Sequence, residues 1–107
     1  MNHKQGQVAC RGFAIGPVNR NGIPKPGEII VREMTTPDLV MGMKVAAGVV
    51  TMLGGILCHA AIVCREFNVP CVVGVGPLAI EEGTEVTVDA NRGTVSWNDP
   101  TDRIQEA

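Results

Sequence analysis

Between Lys44 and Arg65 the chain carries no charged side chain, and the run from Val45 to Cys64 is long enough to read as a membrane-spanning helix on hydropathy alone. Its internal pattern argues otherwise. Thr51, the pair Gly54-Gly55 and His59 interrupt it, and its first part is rich in β-branched residues that favour a strand. The run therefore divides into a buried strand over 46–51, a tight loop over 52–55 and a helix over 56–67, with a second apolar strand over 70–75. That is a compact βαβ unit, whose parallel strands read as continuous apolar runs because both faces are covered.

Glycine and proline punctuate the rest of the chain. Residues 7–14 and 28–32 read as strands, separated by a loop from Gly16-Pro17 to Pro26-Gly27. In Thr35-Thr36-Pro37-Asp38 a hydroxyl residue precedes a proline and then a carboxylate, the order of an N-cap, a first helical position and a dipole partner, so a short helix is expected over 37–43. Residues 85–89 and 94–97 alternate apolar and polar around the turn-forming Ala90-Asn91-Arg92-Gly93, which predicts a hairpin. The chain is expected to be one domain over 1–107, with its core over about 7–97 and a polar tail over 98–107 that frays or forms a linker stub.

Composition narrows the function classes. At 107 residues there is room for one core that buries roughly two thirds of the surface. Hydrophobic residues at 45% and charged residues at 19% exclude disorder and a coiled coil. Nine basic against eleven acidic side chains leave a net charge of -2, without the basic excess of a nucleic-acid binder, and 3% aromatics provide no stacking platform for bases. Cys10, Cys58, Cys64 and Cys71 lack the paired spacing of a zinc site. They read as reduced thiols of a cytoplasmic protein, with Cys10, Cys64 and Cys71 packing as small hydrophobes. Neither a nucleic acid nor a membrane is expected as a partner.

The candidate chemistry lies where the glycine pair meets the helix. With the helix begun at Ile56, Leu57, Ala60, Val63, Cys64 and Phe67 fall on one stripe, and His59 sits at its edge within the first turn. No Ser, Thr, Asp or Asn caps this helix, so its first amides stay available to an anion, and Gly54-Gly55 lets the backbone approach one. The backbone amides of Gly54, Gly55, Ile56, Leu57 and Cys58 form the candidate phosphate cradle. A neutral, exposed imidazole nitrogen is a competent phosphoryl nucleophile in such a place. Periodicity alone favours a histidine satisfied at the edge of the core. Walker and dinucleotide glycine patterns are absent, and no second ligand stands at i+3 or i+4 for a metal. Across the helix, Cys58, Ala61, Ile62 and Arg65 form an apolar face for water, covered either by a docking partner or by a loop or the tail.

The segment from Gly54 to Glu66, Gly-Gly-Ile-Leu-Cys-His-Ala-Ala-Ile-Val-Cys-Arg-Glu, with Val69-Pro70-Cys71-Val72-Val73-Gly74 after it, resembles the mobile phosphohistidine domain of phosphoenolpyruvate-utilising enzymes. The resemblance extends upstream through Thr35-Thr36-Pro37-Asp38 and Val49-Val50-Thr51 and downstream through Gly83 to Val88-Asp89-Ala90, so it covers most of the chain. It implies an α/β fold, the swivelling β/β/α domain, in which a mainly parallel layer and an antiparallel layer pack with helices. It implies that His59 is phosphorylated during catalysis, with Arg65 as a supporting charge. In synthase and dikinase relatives such a domain swings between a nucleotide site and a pyruvate or phosphoenolpyruvate site.

Neither site fits in a chain this short, so magnesium and ATP are expected on a nucleotide-binding partner subunit, and the phosphoenolpyruvate, pyruvate or other acceptor on another. No cofactor is expected on the domain itself. The chain is expected to be inactive alone, either as one subunit of a split phosphotransferase or as a domain of a longer chain, Met1 and the short polar tail pointing to the first. The resemblance has departures. Leu57 stands where many members carry a Thr whose hydroxyl meets the phosphoryl group, although rifampicin phosphotransferase-like relatives also have Leu there. Cys58 stands where Ser is common, although synthases use Cys as well. Met52-Leu53 replaces a more polar pair. A non-catalytic interaction or regulatory module that keeps the fold is the alternative these departures raise.

Overall fold

The computed structural model describes residues 2–98. Eight strands and two α-helices follow in order: β1 (Asn2–Gln5), β2 (Gln7–Cys10), β3 (Phe13–Asn19), β4 (Ile29–Arg32), a single 3₁₀ turn (Pro37–Leu39) running into α1 (Val40–Val45), β5 (Gly48–Thr51), α2 (His59–Phe67), β6 (Cys71–Val73), β7 (Glu85–Asp89) and β8 (Thr94–Trp97). The strands adjoin in the order β1-β8-β7-β3-β4-β5-β6-β2. From β3 to β6 neighbours are parallel; the remaining pairs are antiparallel. This mixed α/β arrangement, one parallel layer, one antiparallel layer and helices, is the predicted fold class.

The two layers are connected at two places. β3 pairs with β7 from Phe13 to Pro17 and with β4 at Val18 and Asn19. Proline has no N–H to give a ladder, and Pro17 falls where the strand changes neighbours, which is why it does not end the strand. At the other side β1 and β2 are joined by Gly6 alone, yet lie at opposite ends of the strand order. A Cβ at Gly6 would stand 2.5 Å from the Val73 carbonyl oxygen, and the Gly6 N–H donates to the Gly93 carbonyl at 2.9 Å. Only glycine fits where the chain crosses from one layer to the other.

The layers enclose two cores. One lies between the sheets and is built from Val18, Ile29, Val31, Val50, Val72, Val86, Val88 and Val95 among others. The second lies between the parallel layer and the helices and contains Ile30, Met43, Val49, Ala60, Ala61, Cys64, Cys71 and Val73. Successive residues of β4 and β5 alternate between them, so both strand faces are covered, which produced the uninterrupted apolar runs in the sequence.

Several boundaries differ from the expectation. The strand placed over 7–14 is two strands, broken at Arg11-Gly12, where Gly12 has φ +149° and packs against Pro70. β3 continues to Asn19, inside the segment read as a loop. β1 precedes the expected start of the core; its polar sequence Asn-His-Lys-Gln buries no face, and its place comes from backbone pairing with β8. The first helix is a 3₁₀ turn plus α1 and reaches Val45, while the strands placed over 46–51 and 70–75 are Gly48–Thr51 and Cys71–Val73. The helix placed over 56–67 begins at His59, because the Cys58 N–H bonds back to the Gly55 carbonyl in a turn. The hairpin stands as expected. Of the predicted tail, residues 99–107 lie outside the described residues. No helix among the described residues is long and apolar enough to cross a membrane.

Candidate functional site

β4 and β5 run parallel with Arg32 opposite Thr51, and the segments that leave them stay side by side: the N–H groups of Met52 and Leu53 donate to the carbonyls of Arg32 and Glu33 at 3.0 Å. This carries Thr35, after β4, to the first turn of α2, which follows the glycine loop after β5. There Thr35 Oγ1 and His59 Nδ1 are hydrogen-bonded at 2.8 Å. Thr35 is buried and His59 half-buried. Together with Met34, Thr51, Leu53, Gly54, Cys58 and Ala60 they line a cavity of about 150 Å³.

The loop is held from several sides. Gly54 has φ +103°, and a Cβ there would lie 2.9 Å from the Cys58 sulfur. Gly74, after β6, has φ +69°, and a Cβ on it would meet the Gly54 carbonyl oxygen at 2.7 Å. Thr51 is buried and donates its hydroxyl to the Leu53 carbonyl at 2.7 Å, while the N–H groups of Val75 and Gly76 bond to the carbonyls of Thr51 and Met52. Arg65 reaches two carbonyls: Nε donates to Ala9 on β2 at 2.9 Å and Nη2 to Ile56 in the loop at 2.6 Å. Its guanidinium thus ties an edge strand to the glycine loop.

Cys58 is the N-cap of α2 in extended conformation, and no side chain caps the helix. The helical ladder opens with the Ile62 N–H on the Cys58 carbonyl at 3.1 Å, so the amides of His59, Ala60 and Ala61 precede any intrahelical acceptor. They lie at the positive end of the helix dipole, beside the imidazole. Helix-end amides and a glycine loop around one imidazole suit a phosphoryl group carried on a ring nitrogen.

His59, Gly54 and Cys58 line this one cavity, with Gly55 and Ile56 in the same loop. Leu57 projects outward with 81% of its surface exposed, because the helix starts two residues after it; it does not join the core stripe assigned to it. Ala61, assigned to the outer face, is fully buried. Ile62 is exposed, and with Met34, Leu53, Ile56 and Leu57 it makes the surroundings of the cavity apolar. The sequence reading did not assign Thr35 or Thr51 a place at the site; Thr35 appears there only as part of a helix start. Among the described residues no group of His, Cys, Asp and Glu side chains is arranged to hold a metal ion.

Comparison with known proteins defines the class. Residues 24–93 match the family model described as PEP-utilising enzyme, mobile domain, and the chain belongs to that family. Its curated relatives include phosphoenolpyruvate synthases and an uncharacterized phosphotransferase of Bacillus subtilis, the latter 36% identical over 103 residues, covering 89% of this chain and 12% of that protein. It is 54% identical over 105 residues to a probable phosphoenolpyruvate synthase of Archaeoglobus fulgidus, covering 85% of this chain and 14% of that protein. It is 35% identical over 109 residues to phosphoenolpyruvate synthase of Escherichia coli, covering 89% of this chain and 14% of that one. The chain therefore spans about a seventh of the length of these synthases. Among solved structures, Enzyme I in solution superposes with a TM-score of 0.59 at 28% identity, over 77% of this chain and 35% of that one.

Proposed function

We propose that this chain is a phosphoryl carrier in which His59 accepts a phosphoryl group through Nε2 and delivers it to an acceptor held by another domain or subunit. The observation that carries the reading is the Thr35 to His59 Nδ1 hydrogen bond at the uncapped start of α2. With Nδ1–H donating to Thr35 Oγ1, the lone pair on Nε2 is free to attack. In the forward step Nε2 bonds to phosphorus and the donor's P–O bond breaks with its electrons. The imidazole ring then carries positive charge, which the Thr35 oxygen steadies at Nδ1 and the helix-end amides balance at the phosphoryl oxygens. In the second step an acceptor oxygen takes the phosphoryl group and Nε2 recovers its lone pair.

Two features support a shuttle between separate sites. The cavity at His59 is far smaller than the roughly 300 to 1,000 Å³ of small-molecule pockets, and the surface around it is apolar and open, fit to be covered by protein. The donor site, with its magnesium and ATP, and the phosphoenolpyruvate, pyruvate or other acceptor site accordingly belong to partners, whether subunits of a split synthase-like phosphotransferase or domains of a longer chain. Four free thiols fit the reducing cytoplasm. Arg65 acts in this reading by holding the loop at Ile56.

The test is intact-mass analysis of the wild type and His59→Ala after incubation with ATP or phosphoenolpyruvate in extract from the source organism, with phosphoramidate as a chemical donor. One acid-labile phosphoryl group is expected on the wild type only, with both proteins folded by circular dichroism. Acid-labile phosphate on folded His59→Ala would refute the site.

A further inference from the structure

All four cysteines gather in the core beneath α2: Cys64 and Cys71 are fully buried, and Cys10 and Cys58 pack against the same cluster half-buried. Cys10, on β2, and Cys71, on β6, are register partners across an antiparallel pair, at an irregularity where the register shifts between Val8 and Cys10. At such a bulge two residues of one strand, here Ala9 and Cys10, stand against one of the other, and cross-strand partners keep their Cα atoms about 5 Å apart, within the roughly 4.4 to 6.8 Å that disulfides span. Both face α2, since both pack into the helix-side core. Cys10 is the accessible member, its sulfur 3.9 Å from Asn68 Oδ1 at the end of α2.

We propose that Cys10 and Cys71 form a redox-active pair that closes to a disulfide through exchange with a low-molecular-weight disulfide. In the first step the Cys10 sulfur, as thiolate, attacks one sulfur of the small disulfide, forming a mixed disulfide and releasing one thiolate. In the second, the Cys71 sulfur attacks Cys10 Sγ and expels the other. The protein loses two electrons and two protons, and the small disulfide leaves as two thiols. Burial holds the Cys10 thiol above the ordinary range, aided by Cys64 and partly offset by the Arg65 guanidinium, and the adjacent Cys64 thiol together with burial raises Cys71 further. Exchange is therefore slow at neutral pH and faster in alkali.

The bond would also reach the glycine loop. β2 is an edge strand of four residues, and Arg65 ties its Ala9 carbonyl to Ile56. Welding Cys10 to the inner strand β6 fixes the outer anchor of that bridge. The inference holds whether or not His59 is phosphorylated.

The experiment incubates the full chain with oxidised glutathione at alkaline pH, blocks remaining thiols under denaturing conditions and maps the peptides by mass spectrometry. Expected is the loss of two hydrogen masses with Cys10 and Cys71 peptides linked, reversed by reductant, absent in Cys10→Ser and retained in Cys64→Ser. Glutathione left on Cys10 without closure, a Cys10 link to Cys64 instead, or four thiols still blockable after oxidation would each overturn the proposal.

Discussion

Replacing Thr35 by Val removes one hydroxyl at nearly constant shape and isolates the hydrogen bond to His59 Nδ1. A neutral hydrogen bond contributes about 1 kcal/mol net, and one to a group that becomes charged about 1.5 to 3 kcal/mol. The imidazole gains positive charge as Nε2 takes phosphorus, so the bond is stronger in the transition state than in the resting domain. The difference, about 0.5 to 2 kcal/mol at about 1.4 kcal/mol per factor of ten, should slow phosphorylation of His59 roughly 2- to 30-fold in Thr35→Val. Global stability should fall by only about 1 kcal/mol. Thr35→Ser, which keeps the hydroxyl, should recover most of the rate. The rate is read by intact mass during phosphoramidate labelling, and stability by urea unfolding followed through the single tryptophan, Trp97. Labelling of folded Thr35→Val at the wild-type rate would mean that the bond does not set the ring for attack.

Three further outcomes are expected. Arg65→Lys should slow labelling and cost about 1 to 2 kcal/mol in urea unfolding, because an ammonium cannot span the Ala9 and Ile56 carbonyls as the guanidinium fork does; equal stability would remove Arg65 as the loop's anchor. Gly54→Ala should lower stability by about 2 kcal/mol, from the left-handed φ and the clash with Cys58, and a wild-type unfolding midpoint would contradict the loop geometry. Asp38 is held below the usual carboxylate range chiefly by the Thr36 hydroxyl, so its contribution is present at neutral pH and disappears as pH falls through its folded value. Wild type should exceed Asp38→Asn in stability at neutral pH, with the gap closing as pH falls below the ordinary carboxylate range, and a gap independent of pH would count against this.

Much of the site is local in sequence and was legible there. The glycine pair, the uncapped helix start and His59 lie within six residues, and β-branched runs mark β5 and β6 because buried parallel strands have no polar face to interrupt them. What escaped detection depends on contacts between distant segments. Thr35 meets His59 across 24 positions because the β4 and β5 register persists past both strand ends. β1 is placed by backbone pairing with β8, which polar side chains do not announce. The helix start was misplaced because Ile56 and Leu57 continue an apolar pattern although their backbone is a turn, and an apolar surface around a site looks in sequence like a core stripe.

The single residue Gly6 joins strands at opposite ends of the sheet order, and β3 belongs to both layers. The two layers are thus tied to each other twice, once through a shared strand and once through a single glycine. Among the described residues, these two ties oppose sliding of one layer over the other. Any long excursion of His59 is therefore a displacement of the entire domain, with the imidazole, its threonine and the glycine loop travelling as one preassembled tip.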